Sequence, residues 1–119
     1  MLLHLITPRP GSVGLIPSTS VAAAPQPGVR VFGLYEPMHG STPRRVGLNM
    51  ANPIATILAV AMMLRYPFNL MTEAQTIETA VERVLEQGYR IFDIMEEGKT
   101  KLGTREMGDA VVRAIWEGT

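Results

Sequence analysis

The apolar positions of this chain change rhythm four times. Val29-Arg30-Val31-Phe32 alternates and is β-branched, which predicts a strand. Ile54 to Arg65 is apolar on most faces, which predicts a helix buried nearly all round. Asn52-Pro53 opens it, because Asn is a good N-cap and Pro suits the first helical position; Pro67 stops it. Ala74, Ile77, Val81, Val84 and Leu85 then recur at helical spacing, with Glu73, Glu78, Glu82 and Arg83 on other faces. That helix is expected to start at Thr72, which has capping-box spacing with Gln75, and to end at Gly88. A last stripe of Met107, Ala110, Val111, Ala114 and Ile115 predicts a helix from Arg105 to about Glu117, capped by Thr104.

The stretches between are less periodic. Residues 1–28 are rich in Pro, Gly and Ser and are expected to be irregular, with Met1 to Ile6 a strand or a frayed end and Ala22 to Gly28 a loop. Tyr89 to Leu102 reads as extended and exposed, with a turn at Glu96-Glu97-Gly98-Lys99. The order is strand, loop, helix, loop, helix, loop, helix. This is an α/β arrangement, treated as one unit over residues 1–119, whose sheet needs further strands.

Composition narrows the functional classes. The net charge is zero, so nothing electrostatic favours nucleic acid or an anionic membrane. There is no cysteine, which excludes disulfides and thiolate metal sites. The longest apolar run, Ile54 to Leu64, is far shorter than the ~20 residues of a bilayer span. No acidic residue precedes Glu36, as in organelle-targeting segments, but the repeated arginines of such segments are missing. The expectation is a cytoplasmic protein, with an organellar address as the alternative.

Chemistry concentrates in one run, Gly33-Leu34-Tyr35-Glu36-Pro37-Met38-His39-Gly40-Ser41-Thr42-Pro43. Glu36 and His39 could exchange protons or bind a metal, but a third metal ligand is not well spaced. A ring-nitrogen and carboxylate pair also suits an adenosine, and equally it could only tie the loop together. Gly40-Ser41-Thr42 offers bare backbone and hydroxyls to a phosphate, although no Gly-Lys-Ser/Thr follows as in a P-loop. Gly11-Ser12-Val13-Gly14 is not a Gly-x-Gly-x-x-Gly dinucleotide fingerprint. Arg44-Arg45 is either a solvated pair or a phosphate clamp. His4 reads as structural and the methionines as core filler.

These residues resemble a known family. The run Gly33 to Pro43, then Ala51-Asn52-Pro53-Ile54-Ala55-Thr56-Ile57-Leu58 and Ala61-Met62-Met63-Leu64-Arg65-Tyr66, is similar to the isopropylmalate dehydrogenases of the isocitrate/isopropylmalate dehydrogenase family. Pro10 to Ser18 resembles the family's Gly-Ser-Leu-Gly segment, and Gly103 to Ala110 its C-terminal helix; the likeness spans about residues 10–115, leaving residues 1–9 atypical. The resemblance implies an NAD-dependent oxidative decarboxylation of a 2-hydroxy acid in leucine biosynthesis, assisted by Mg2+ or Mn2+, in a homodimer of α/β domains. It implies that Ser12, Val13 and Gly14 lie along the dinucleotide. It also implies that Glu36, Pro37, His39, Gly40, Ser41 and Thr42 form the adenosine-side loop, and that Asn52 reaches the adenine.

Two departures qualify that picture. The family's catalytic Tyr and Lys, its substrate-binding arginines and its metal-binding aspartates precede the Gly-Ser segment, whereas here Met1 to Arg9 contain no Asp. The expectation is a C-terminal, cofactor-binding portion, inactive alone, partnered by a missing N-terminal half or a full-length homologue. The alternative is a non-catalytic remnant serving as a weak nucleotide-binding or dimerisation module. Second, Arg44 stands where the family has a ribose-binding Asp; arginine attracts a 2′-phosphate that a carboxylate repels, so Arg44-Arg45 marks either a switch to NADP or a degenerate site.

Overall fold

The computed structural model describes residues 15, 17–21, 32–41 and 43–118. Strand β1 (Pro17–Val21) pairs antiparallel with β2 (Gly33–Pro37), in a register that sets Pro17 against Pro37 and Val21 against Gly33. Three helices follow: α1 (Ile54–Arg65), α2 (Met71–Glu86) and α3 (Thr104–Glu117). Between α2 and α3 lie two short parallel strands, β3 (Tyr89–Arg90) and β4 (Thr100–Lys101), pinned by Thr100 N–H to Gly88 O at 2.9 Å and Leu102 N–H to Arg90 O at 2.7 Å. Helix α1 packs on the β1–β2 pair on one side and on α2 on the other, and α3 packs on α2.

The helices form where the pattern predicts them, but α1 is not buried nearly all round: Thr56 and Val60 are exposed and Met62, Met63 and Leu64 half-buried. Asn52 Oδ1 accepts the Ile54 N–H at 3.0 Å, so Asn52 caps α1 from just outside its assigned start. Gly88 ends α2 with φ +93, a left-handed conformation that glycine adopts without a Cβ penalty. Met107, Val111 and Ala114 of α3 are buried, and Ala110 and Ile115 pack partly buried against them. Ile54, Leu58, Val81, Val84, Ile91, Met107 and Val111 form the fully buried centre. Each such side chain contributes about 1.5–3 kcal/mol by leaving water.

Several expectations are corrected. The strand predicted at Val29–Phe32 is displaced: Phe32 lies outside any strand and is 84% exposed, while β2 occupies the first five residues of the expected loop. Residues 29–31 fall outside the described residues, as does Met1 to Ile6. Ser/Thr-rich Pro17–Val21, expected to be irregular, is a strand because β2 offers it a ladder. Thr72 does not cap α2. That helix starts at Met71, and Thr72 instead gives its carbonyl to the Thr76 hydroxyl at 2.8 Å. Glu78, placed off the apolar stripe of its helix, is nonetheless buried at 4% exposure and pairs with Arg65 of α1. Tyr89 to Leu102 is not simply exposed: Ile91 is fully buried and Ile94 nearly so, in a 3-10 turn at Phe92–Ile94. The turn at Glu96–Lys99 is present, closed by Lys99 N–H to Glu96 O at 3.1 Å.

Candidate functional site

Beyond β2 the backbone leaves the sheet and forms a 3-10 turn at Pro43–Arg45, closed by Val46 N–H to Pro43 O and Leu48 N–H to Arg45 O. It runs on through Gly47 and Asn49, both at positive φ, before entering α1. This loop faces two other segments, Phe92–Asp93 and Thr104–Glu106. Between them lies an open cleft of about 910 Å3.

Three side chains of the loop reach the facing segments. The Arg45 guanidinium lies 4.3 Å from the centroid of the Phe92 ring, a cation–π distance. Asn49 Nδ2 donates to the two carboxylate oxygens of Glu106 at 2.7 and 3.3 Å, and Asn49 Oδ1 accepts the Arg105 N–H at 3.0 Å. Asn52 Nδ2 donates to both carboxylate oxygens of Asp93, at 3.1 and 3.3 Å. Both cleft carboxylates are therefore held by an asparagine amide. No ion pair to either Arg45 or Arg105 occurs among the described residues.

The cap of α3 is one of these contacts. Thr104 was expected to provide it, but its hydroxyl donates to Ala51 O, and the first free amides of α3 go to Asn49. Gly103 makes this possible, because a Cβ there would collide with Asn49 Nδ2 and Glu106 Oε1.

His39 carries the cleft's unanswered polar atom. Its Nδ1 donates to Gly40 O at 2.9 Å, since a carbonyl can only accept. The tautomer that this bond selects leaves Nε2 as an acceptor, and Nε2 is buried without a partner among the described residues. A buried acceptor in that condition costs about 1–3 kcal/mol until a donor arrives.

Of the residues singled out in the sequence, His39, Gly40, Ser41 and Asn52 line the cleft together. Glu36, Pro37 and Arg44 do not line it. Glu36 and Pro37 lie on β2, Glu36 exposed, and Arg44 is exposed on the 3-10 turn beside Arg45. Ser12, Val13, Gly14 and Thr42 lie outside the described residues. The cleft also recruits Phe92, Asp93, Asn49, Arg105 and Glu106, which motif reading did not find. Gly103-Thr104-Arg105-Glu106 was visible as a helix start, but nothing local signals that it faces residues some 55 positions upstream.

Among the described residues no group of three or more His, Cys, Asp or Glu could hold a metal ion, and no helix is long and apolar enough to cross a membrane. The dinucleotide that the resemblance implies meets a different result: the orphaned acceptor of His39 and the guanidinium of Arg45 suit a base and a phosphate.

The family model described as isocitrate/isopropylmalate dehydrogenase matches residues 5–111. A 3-isopropylmalate dehydrogenase of Dehalococcoides mccartyi (strain CBDB1) is 56% identical over 105 residues, covering 88% of this chain and 29% of that protein. The 3-isopropylmalate dehydrogenase of Pseudomonas syringae pv. tomato is 55% identical, covering 88% of this chain and 28% of its own length. Among solved structures, the apo β-decarboxylating dehydrogenase of Thermococcus kodakarensis superposes with a TM-score of 0.74 at 29% identity, over 91% of this chain and 28% of that one. Isocitrate dehydrogenase of Methylococcus capsulatus gives 0.63 at 36% identity, over 70% of this chain and 24% of that one. The chain thus spans less than a third of the length of these relatives.

Proposed function

The chain belongs to the isocitrate/isopropylmalate dehydrogenase family, and from that membership we propose that it supplies the adenosine side of the dinucleotide site in an isopropylmalate dehydrogenase-like oxidoreductase. The reaction is the NAD(P)-dependent oxidative decarboxylation of a 2-hydroxy acid, in leucine biosynthesis. The observation that carries the reading is the orphaned His39 Nε2 in a cleft whose two guanidiniums have no carboxylate partner among the described residues.

The residues divide the work of holding an adenosine phosphate. His39 Nε2 accepts from an exocyclic amine of the base. Gly40 carries no side chain, and a Cβ there would meet nothing within 4 Å. Ser41 adds a hydroxyl at the same turn. Asn52, held by Asp93 and by its cap to α1, fixes the cleft floor rather than swinging freely. Arg45 lines the cleft and Arg44 does not, so Arg45 is the group that favours a 2′-phosphate and hence NADP. When bound, the dinucleotide supplies the hydride acceptor; this chain's part is to bind and orient it. In this reading the metal and substrate groups are supplied by another part of such an enzyme.

The test is calorimetry of the purified chain with NAD+ and NADP+, alongside isopropylmalate oxidation with Mg2+ or Mn2+. Binding of NADP+ at least as tight as NAD+, with turnover at background, is expected. Clear NAD+ preference unaffected by Arg45→Ala, or metal-dependent turnover by the chain alone, would count against the reading.

A second reading has its own observation. Phe32, Leu34 and Met38 in and beside β2 are exposed, an apolar edge suited to more protein. It favours a module that pairs with the remaining part of such an enzyme, or with a full-length homologue. Co-expression with the N-terminal portion of the Dehalococcoides relative would restore oxidation if the module is complementing, and leave it absent if it is not.

A further inference from the structure

Asn49 does more in the cleft than any motif suggests. It sits at φ +55, a left-handed conformation that Asn tolerates better than most residues. Its carbonyl accepts the Thr104 N–H at 3.0 Å, its Oδ1 accepts the Arg105 N–H at 3.0 Å, and its Nδ2 donates to both oxygens of Glu106. One residue thereby satisfies the start of α3 and holds the cleft loop against it. The segment it holds has few other ties: Val46 and Leu48 are exposed, and the loop's other contacts to the facing segments are the Arg45–Phe92 stack, the Asn52–Asp93 pair and the Thr104 hydroxyl to Ala51 O.

We propose that Asn49 is a positioning residue for the nucleotide: it sets the distance between the loop bearing His39 and Arg45 and the facing turn at Thr104–Glu106, and so fixes the width of the cleft. This rests on the reading of the cleft as a dinucleotide site. The positive φ and the four donor–acceptor contacts leave few side chains able to replace it. Glycine tolerates the φ but has no amide. Aspartate can accept from Arg105 N–H but meets Glu106 as a like charge.

That asymmetry provides the experiment. NADP+ affinity of the full chain is measured by calorimetry for wild type, Asn49→Gly, Asn49→Asp and the double variant Asn49→Asp/Glu106→Gln. In the double variant the new carboxylate still accepts from Arg105 N–H while the new amide donates back, restoring the clamp in reversed polarity. Loss of contacts to a charged group is expected to lower affinity about 10-fold in each single variant, with most of it regained in the double. Val84→Ala, which truncates the core away from the cleft, should lower the melting temperature without moving affinity. Amide exchange at Arg105 should speed up in Asn49→Gly and slow again in the double variant. Affinity in Asn49→Gly within twofold of wild type, or a double variant no better than Asn49→Asp, overturns the role of Asn49 alone. A wild-type chain that binds neither NADP+ nor NAD+ overturns the cleft assignment and this role with it.

Discussion

Asn52 works in two directions at once, its Oδ1 accepting the Ile54 N–H at 3.0 Å while its Nδ2 reaches the carboxylate of Asp93 at 3.1 Å. The residue couples the start of α1 to a cleft wall. Asn52→Ala is expected to destabilise the chain by about 1–2 kcal/mol through the lost cap, read from urea unfolding. Asn52→Asp keeps a capping oxygen but sets a second carboxylate against Asp93. One of the two then holds its proton to higher pH in the folded state. Stability of that variant should fall more steeply than that of wild type as pH rises from acidic to neutral, and a profile parallel to wild type would disprove the coupling.

The Arg65–Glu78 pair ties α1 to α2 inside the core, with side-chain exposures of 23% and 5%. Burial raises the Glu78 carboxyl above its ordinary value, and Arg65 pulls it part of the way back. The folded state therefore binds a proton more tightly than the unfolded chain. The stability linked to Glu78 is present below the ordinary carboxylate value and is lost as pH rises through the raised one. Arg65→Ala removes the opposing charge, so it should cost about 2–3 kcal/mol at neutral pH and push the loss to higher pH. Adding Glu78→Gln should flatten the profile, as followed by the unfolding midpoint across pH.

Gly103 and Gly40 differ in what a methyl would meet. Gly103→Ala drives a Cβ into Asn49 Nδ2 and Glu106 Oε1, whereas Gly40→Ala meets nothing within 4 Å. Gly103→Ala should cost about 1–3 kcal/mol, as overpacking does, and Gly40→Ala should leave the melting temperature unchanged. If a nucleotide uses the bare backbone at Gly40, its affinity should fall in Gly40→Ala all the same. Equal melting temperatures for the two variants would contradict the clash.

The two adjacent arginines should separate. Arg45 lies over Phe92 and lines the cleft; Arg44 does not line it. Arg45→Ala is expected to weaken NADP+ by about 10-fold, the scale of one charge-assisted contact, with little effect on NAD+. Arg44→Ala should change both by less than twofold. The reverse ranking in calorimetry would return the role to Arg44.

Local signals wrote the helices, and distant ones wrote the site. The Asn52 cap, the left-handed Gly88 and the stripe of α3 were legible because each depends on neighbours within a turn or two. The burial of Glu78 was not, because on its own helix it sits among charged positions, and only Arg65 on α1 makes its burial tolerable. Strand β1 was illegible for a similar reason. Pro-Ser-Thr-Ser-Val has little strand character of its own, and its ladder is supplied by β2. In the cleft, His39, Gly40, Ser41 and Asn52 stood out as a motif. Asn49, Phe92 and Glu106 did not, since their pairing is a product of folding.

The cap on α3 also has a consequence for the order of assembly. A helix of 14 residues is marginal by itself in water, and here its first two amides bond to Asn49, Thr104 N–H to its carbonyl and Arg105 N–H to its Oδ1, 56 positions before Arg105. The last helix can therefore be completed only after the loop before α1 has come to rest beside it. A peptide holding α3 alone would lack these partners at its start, so the closing of the cleft and the satisfying of those amides are one structural event.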